Sequence, residues 1–207
     1  MKVIILGAGT CAMSVADILV QDRNFKLVAF VGTQEKEVRL MNQKIYGEVP
    51  FVGNYSILPK LKQDGITGFV AAMSNNSHRE KAYYQATRAG LTPINVISPR
   101  AILEPSARLG NGVAIHAGCI ISHKVKIDNN VIIETGSLIG INSTVGDNCF
   151  ISHGAILGGE CNLGRNVFLG IGTMILPYTD VGKNQTIEAG TIVKKKIGDL
   201  AREKFDS

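Results

Sequence analysis

Three of the chain's four histidines, His116, His123 and His153, lie in a region with a strict six-residue repeat. Histidine is the side chain whose unperturbed pKa lies closest to neutrality, so each of the three could take a proton from an attacking nucleophile. Which histidine is placed to do so depends on the structure that the repeat forms.

The repeat is a column of aliphatic residues. Every sixth residue from Ile97 to Val193 is isoleucine, leucine or valine, and small or β-branched residues precede most of them by two positions. This period fits neither a helix nor a plain strand and is typical of a parallel β-helix built from hexapeptides. Glycine also recurs every eighteen residues, so three hexads form one coil. We predict an all-β parallel β-helix over residues 98–196, with residues 197–207 as a C-terminal cap.

The spacing of the histidines assigns them to edges of the predicted prism. His123 is the second residue after the inward-facing Ile121, which places its ring at or near a corner, outside the core. His123 and His153 are thirty residues apart and belong to different edges, whereas His116 and His153 are thirty-seven apart and share one edge. Because a zinc site needs three converging ligands and no edge has more than two histidines, we expect no metal.

Residues 1–97 are organised differently. Their alternating strands and helices predict a small parallel α/β sheet, a Rossmann-like domain. Gly7-Ala8-Gly9-Thr10 follows a strand and precedes a helix, which suits binding of a phosphate at the helix N-terminus, although a tight turn without a ligand is the alternative. Ala12 replaces the third glycine of the dinucleotide fingerprint, and Gly32-Thr33-Gln34 supplies no acid after the second strand. A nicotinamide-dependent enzyme is therefore disfavoured, whereas binding of a nucleotide diphosphate is still compatible with the sequence.

Composition excludes several classes of function. The net charge of +5 is spread along the chain without an arginine stripe, so we expect no nucleic-acid partner. No apolar run approaches the roughly eighteen residues of a membrane span, and the start lacks the features of a signal peptide. The four cysteines show neither a disulfide framework nor a metal-ligand spacing. A cytoplasmic protein is expected.

From VIILGAGTCAMSVADIL through INVISPRAILEPSARLGNGVAI to the repeat, the chain resembles the sugar acetyltransferases of the sialic acid O-acetyltransferase and bacillosamine N-acetyltransferase family. The resemblance implies a left-handed β-helix, acetyl-CoA as co-substrate, a homotrimer with active sites between subunits, and a first domain that binds a nucleotide-linked sugar. The expected activity is N-acetylation of a nucleotide-linked 4-amino-6-deoxy sugar for surface glycan biosynthesis, with histidine as general base. The alternatives are an O-acetyltransferase acting on a sialic-acid-like sugar and a non-catalytic binding or assembly protein.

The resemblance also proposes the base. Ser122 to Asn129 best match the family's histidine motif, which proposes His123, with Lys124 in place of the family's acid. Counting back from the last coils instead places the family's histidine at Ile141. An extra eighteen-residue coil in this β-helix would reconcile the two counts. His153 is the rival candidate for the base. Because Lys124 replaces the family's acid, Glu134 or Asp147 could instead supply the carboxylate that orients His123.

Further site residues are implied by the resemblance. Those expected to contact CoA are Gly170, Ile171, Ala189, Gly190 and Lys194, with the lysine meeting phosphate or simply facing solvent. Those expected to contact the sugar substrate are Gly9, Thr10, Cys11, Gly53, Asn75 and His116, with Arg79 offering charge to a pyrophosphate.

Overall fold

The structure is a computed structural model that describes residues 1–32 and 40–198. It contains an α/β domain followed by a parallel β-helix, so the predicted fold class is confirmed. Within these ranges, no helix is both long enough and apolar enough to cross a bilayer. The predicted C-terminal cap beyond Gly198 and the predicted Thr33-Gln34 turn lie outside the described residues.

The α/β domain has a four-stranded parallel sheet in the order β2-β1-β5-β6. Its strands are β1 (Lys2–Leu6), β2 (Lys26–Val31), β5 (Gly68–Ala71) and β6 (Thr92–Pro93), and β3 (Lys44–Tyr46) and β4 (Val49–Pro50) form a separate hairpin. Its helices are α1 (Thr10–Leu19), α2 (Leu58–Gln63), preceded by a 3₁₀ turn at Tyr55–Ile57, and α3 (Asn76–Arg88).

Strand β1 is apolar on both faces because helices cover both sides of the sheet. Val3 and Ile5 pack in one cluster with α1, whereas Ile4 and Leu6 pack in another with α2 and α3. The layout places the turns that follow β1, β2 and β5 at one end of the sheet, where ligands of parallel α/β sheets bind.

The β-helix is built from sixteen strands of two residues each, which form three parallel sheets. The first sheet contains β7 (Val96–Ile97), β10 (Ala114–Ile115), β13 (Ile132–Ile133), β16 (Phe150–Ile151), β19 (Phe168–Leu169) and β21 (Thr186–Ile187). The second contains β8 (Ile102–Leu103), β11 (Ile120–Ile121), β14 (Leu138–Ile139), β17 (Ile156–Leu157), β20 (Met174–Ile175) and β22 (Ile192–Val193). The third contains β9 (Arg108–Leu109), β12 (Lys126–Ile127), β15 (Thr144–Val145) and β18 (Asn162–Leu163).

The second residue of each two-residue strand belongs to the predicted aliphatic column. Strand pairs join residues eighteen apart, such as Ile115 to Ile133, so the predicted coil length is confirmed. The column is buried from Ile115 onward, and Cys119, Cys149 and Cys161 fill the inward small-residue positions as free thiols. Ile97 is 37% exposed because it belongs to the first coil.

The outer faces of the three sheets differ in character. Ala114, Ile132 and Phe150 on the first sheet pack in one cluster with residues of the α/β domain. The second sheet instead exposes apolar side chains to solvent, namely Ile102, Ile120, Met174 and Ile192. Strand β7 already pairs with β10, so the β-helix begins two residues before the predicted division at residue 98.

Candidate functional site

One edge of the β-helix gathers six of the predicted site residues. This edge follows the first sheet, and we call it the His153 corner; it comprises residues 116–118, 134–136, 152–154, 170–172 and 188–190. Backbone hydrogen bonds stack successive coils there, from Gly154 N to Thr135 O at 3.0 Å and from Gly172 N to His153 O at 3.0 Å. The predicted CoA residues Gly170, Ile171, Ala189 and Gly190 therefore lie in the coils directly after His153.

Two histidines and a carboxylate meet at this corner. Glu134 Oε2 lies 3.3 Å from His116 Nδ1 and 3.7 Å from His153 Nδ1. The side chains of His116 and Glu134 are 4% and 6% exposed, whereas that of His153 is 58% exposed. A buried carboxylate is thus positioned behind an accessible imidazole.

Burial sets the protonation of the two hidden groups. It raises the pKa of Glu134, while the charge of His153 and the Thr135 N–H act in the opposite direction. It lowers the pKa of His116 to about 4, with a further contribution from His153. His116 is therefore neutral at physiological pH. A carboxylate accepts hydrogen bonds and does not donate them, so Glu134 favours, for each histidine, the tautomer with the proton on the Nδ1 that faces it and an unprotonated Nε2.

His123 lies at a different edge, which follows the second sheet. Its Nδ1 is 2.8 Å from Ser106 Oγ, and within the described ranges no carboxylate forms an ion pair with it. Ile141 lies one coil further along the same edge and is 52% exposed. Lys194 also follows the second sheet, so one chain does not bring it to Gly170 and Ile171.

The first turn of α1 brings the α/β domain to the His153 corner. Cys11 packs in the cluster that joins the two domains, and its pKa is raised to about 12 by burial and then by the charge of Glu134. The thiol therefore stays protonated at neutral pH. Gly9 and Thr10 precede it and are exposed, at the end of β1 where a ligand can approach.

Two other predicted sugar contacts have structural roles. Gly53 is buried, and its carbonyl accepts a hydrogen bond from Gly32 N at 2.9 Å. Asn75 caps α3, with Oδ1 accepting from His78 N at 2.9 Å.

An open cleft of about 470 Å³ lies between the start of α3 and the late coils. It is lined by neutral polar groups and one aromatic ring, from Ser74, Asn75, Asn76, Ser77, Asn166, Phe168, Asn184 and Thr186. Sequence reasoning proposed Asn75 and missed Asn166 and Asn184. The available signal was the asparagine at every eighteenth position from Asn130, whose side chains form a hydrogen-bonded ladder.

A larger open cleft, of about 650 Å³, lies away from this corner. It is lined by residues around the start of α2 and the end of α3, including Asn54, Tyr55 and Arg88. No residue of the His153 corner lines it, so we assign it no part in the site.

Arg79 does not meet the expectation of a pyrophosphate contact. It is fully buried, and its guanidinium donates to the carbonyls of Met73, Asn130, Asn148 and Cys149. The expectation failed because the outer face of the β-helix, which the sequence does not position, covers this side chain. Its donors bind protein, so they are not available to a phosphate.

His116, which was expected to contact the sugar substrate, is buried, and its ring lies against Glu134. Among the residues that the structure describes, no group of three histidine, cysteine or acidic side chains has the arrangement of a metal site.

Residues 81–193, more than half of the chain, match the family model of the GMPPB C-terminal domain, and residues 2–86 match that of the PglD N-terminal domain. The chain belongs to the GMPPB C-terminal domain family. No curated protein sequence matches it.

Solved structures extend the likeness over the whole length. PerB from Caulobacter crescentus, in complex with CoA and GDP-perosamine, is 29% identical with a TM-score of 0.88 over 97% of this chain and 92% of its own. A histidine-to-alanine variant of that GDP-perosamine N-acetyltransferase, with the same two ligands, has a TM-score of 0.89 at 29% identity over 96% and 91%. The acetyltransferase domain of PglB from Neisseria gonorrhoeae FA1090 with acetyl coenzyme A is 25% identical, with a TM-score of 0.83 over 96% and 93%. The resemblance to hexapeptide-repeat sugar acetyltransferases is confirmed.

Proposed function

We propose that this protein transfers an acetyl group from acetyl-CoA to the amine of a nucleotide-linked 4-amino-6-deoxy sugar. The observation that carries the proposal is the His153 corner, where an accessible imidazole backed by a buried carboxylate adjoins the glycine-rich turn of the α/β domain. The whole-length likeness to an enzyme solved with CoA and GDP-perosamine supports both substrates.

His153 is the proposed base. Its Nε2 takes a proton as the amine nitrogen attacks the thioester carbonyl carbon, and Glu134 stabilises the imidazolium that forms. The tetrahedral intermediate then collapses with cleavage of the carbon–sulfur bond, and the proton passes to the departing thiolate. Backbone N–H groups of the coils stabilise the oxyanion. His153 is preferred to His123 because the latter ring contacts Ser106 and, among the described residues, forms no ion pair with a carboxylate.

The coils after His153 are the proposed CoA site. Gly170, Ile171, Ala189 and Gly190 present backbone at the same corner, within reach of a thioester held beside His153. Lys194 lies at another edge, so it meets the CoA phosphates only if a neighbouring subunit supplies it. The sugar nucleotide is proposed to lie along the exposed Gly9-Thr10 turn and the cleft that begins at Asn75.

A homotrimer with active sites between subunits is the proposed assembly. The exposed apolar face of the second sheet supports it, since Ile102, Ile120 and Ile192 would otherwise remain in water. The same face borders the edge that carries His123. Subunit packing would therefore bring His123 of one subunit towards the site of its neighbour.

The proposal also includes a cytoplasmic location and a role in surface polysaccharide biosynthesis. The four cysteines are all free, which suits a reducing compartment such as the cytoplasm. A nucleotide-linked N-acetyl amino sugar is a precursor for surface polysaccharide, and we place the enzyme in that biosynthesis.

The direct test is thiol release from acetyl-CoA against a panel of acceptors. The panel contains nucleotide-linked 4-amino-6-deoxy sugars together with free and CMP-linked sialic-type sugars. Release with one amino sugar would support the proposal and identify the acceptor. Release with sialic-type sugars alone would favour O-acetylation, and silence across a panel that a relative turns over would favour a non-catalytic role.

A further inference from the structure

The buried ring of His116 is the feature that the proposed mechanism leaves unused. Its side chain is 4% exposed, its Nδ1 lies 3.3 Å from Glu134 Oε2, and its Nε2 has no hydrogen-bond partner among the described residues. A buried acceptor without a hydrogen-bond partner is unfavourable, so an apolar side chain of similar size would suit this position better. The polar ring therefore needs a reason other than filling space.

The contacts of Glu134 supply that reason. Within the described part of the chain, its ion pairs are with His116 and His153 alone, and the Thr135 N–H is its backbone donor. The Cys119 thiol donates to the backbone carbonyl of Glu134 at 3.1 Å, and the charge of Glu134 contributes to the raised pKa of Cys11, although burial is the main cause for both thiols. Both thiols are thus uncharged, and among the described residues His116 is the buried ring whose Nδ1 faces the carboxylate.

We propose that His116 is a positioning residue that holds Glu134 in the orientation that fixes the tautomer of His153. His116 Nδ1 lies 3.3 Å from Glu134 Oε2, and the same oxygen lies 3.7 Å from His153 Nδ1, an electrostatic contact longer than a hydrogen bond. A carboxylate that faces Nδ1 favours the tautomer in which His153 Nε2 is unprotonated, on a side chain that is 58% exposed. The inference rests on the proposed role of His153 as base.

Because His116 is neutral, the negative charge of Glu134 remains available to His153. A charged imidazolium at this position would compete with His153 for the carboxylate and would repel the imidazolium that forms during proton transfer. Its lowered pKa, about 4, keeps the ring neutral where the enzyme would operate. The neutral ring therefore presents its Nδ1 to the carboxylate without neutralising Glu134.

Two substitutions separate positioning from packing. His116→Asn keeps an N–H close to the position of Nδ1, whereas His116→Leu keeps volume and removes the donor. We expect His116→Leu to lower kcat by about 10–100-fold with little change in KM, a range typical of second-layer partners. His116→Asn should retain most of kcat. His78→Gln, at an exposed histidine on α3, is the matched control and should be unchanged.

The ring tautomers test the inference without any turnover. With ¹⁵N-labelled histidine, only four imidazoles report, and the His78→Gln variant assigns one of them. We expect Nδ1–H forms for His116 and His153 in the wild type and in His116→Asn, and loss of the Nδ1–H form of His153 in His116→Leu. If His116→Leu fails to fold, the wild-type spectrum and the Asn variant still decide.

Three outcomes would overturn the inference: an Nε2–H tautomer at His153 in the wild type, an unchanged His153 tautomer and kcat in His116→Leu, or equal losses in the Leu and Asn variants. Absence of acetyl transfer by the wild type would count against the proposed function instead. The tautomer readout would still decide whether His116 acts on His153 through Glu134.

Discussion

The guanidinium of Arg79 lies over the ring of Phe150, with its central carbon 5.7 Å from the ring centroid. Arg79 belongs to α3 and Phe150 to the first sheet of the β-helix, so this contact joins the two domains. Burial lowers the pKa of Arg79 to about 10, and no carboxylate in the described residues forms an ion pair with it. Backbone carbonyls from both domains satisfy the charge.

Removal of this charge should destabilise the protein at the contact between the two domains. Arg79→Met leaves several buried carbonyls without donors, so we expect a loss of at least about 3 kcal/mol in the free energy of unfolding, measured by urea denaturation. Arg79→Lys should lose less because it keeps a donor. Arg88→Met, at the exposed end of the same helix, is the control and should change stability by under about 0.5 kcal/mol. Similar losses for Arg79→Met and Arg88→Met would contradict this account.

Much of the fold could be predicted from the sequence because the repeat is strictly local. The aliphatic column predicted every inward position from Ile115 onward, and residues eighteen apart do stack. The role of Arg79 could not be predicted, because it depends on how α3 packs against a sheet seventy residues away. The His116–Glu134–His153 cluster lies between these cases: the period placed His116 and His153 at one edge, but only the side-chain geometry selects Glu134 over Asp147.

The pH dependence of stability should report His116. Its pKa is lowered from 6.5 to about 4 in the folded state, so between these values the unfolded chain binds more protons and stability falls as pH falls. Compared with His116→Asn, the wild type should lose up to about 1.4 kcal/mol more per pH unit across this window. Urea denaturation of both proteins at several pH values measures the difference. Glu134, whose raised pKa has the opposite effect on stability, is present in both proteins, so the difference between them isolates His116. Parallel curves would show that His116 does not titrate as described.

Gly9 offers a test of the sugar-nucleotide turn that leaves the fold intact. A Cβ added at Gly9 meets no atom within 4 Å, whereas one at Gly7 would lie 2.7 Å from Ala72 O at a φ of +111°. We expect Gly9→Ala to retain the wild-type melting temperature and to raise KM for the sugar nucleotide, leaving KM for acetyl-CoA unchanged. Gly7→Ala should instead lower the melting temperature. A Gly9→Ala enzyme with normal KM for both substrates would remove this turn from the proposed site.

Replacement of His153 should lower kcat far more than replacement of His123. We expect His153→Asn to lower kcat by about 10²–10⁴-fold near pH 7, with partial recovery at high pH where solvent deprotonates the amine. His123→Asn, a histidine-to-asparagine change at the other edge, should have a much smaller effect. Initial rates of thiol release over a pH series measure both. The reverse order of losses would assign the base to His123.

Identification of the product tests whether an amide forms at the His153 corner. The acceptor from the panel is incubated with acetyl-CoA and either wild type or His153→Asn, and the product is analysed by mass spectrometry before and after hydroxylamine treatment. We predict a sugar nucleotide heavier by one acetyl group that resists hydroxylamine, as an amide does, and that is nearly absent with His153→Asn near pH 7. A hydroxylamine-labile ester, or full product formation by His153→Asn at that pH, would contradict the account.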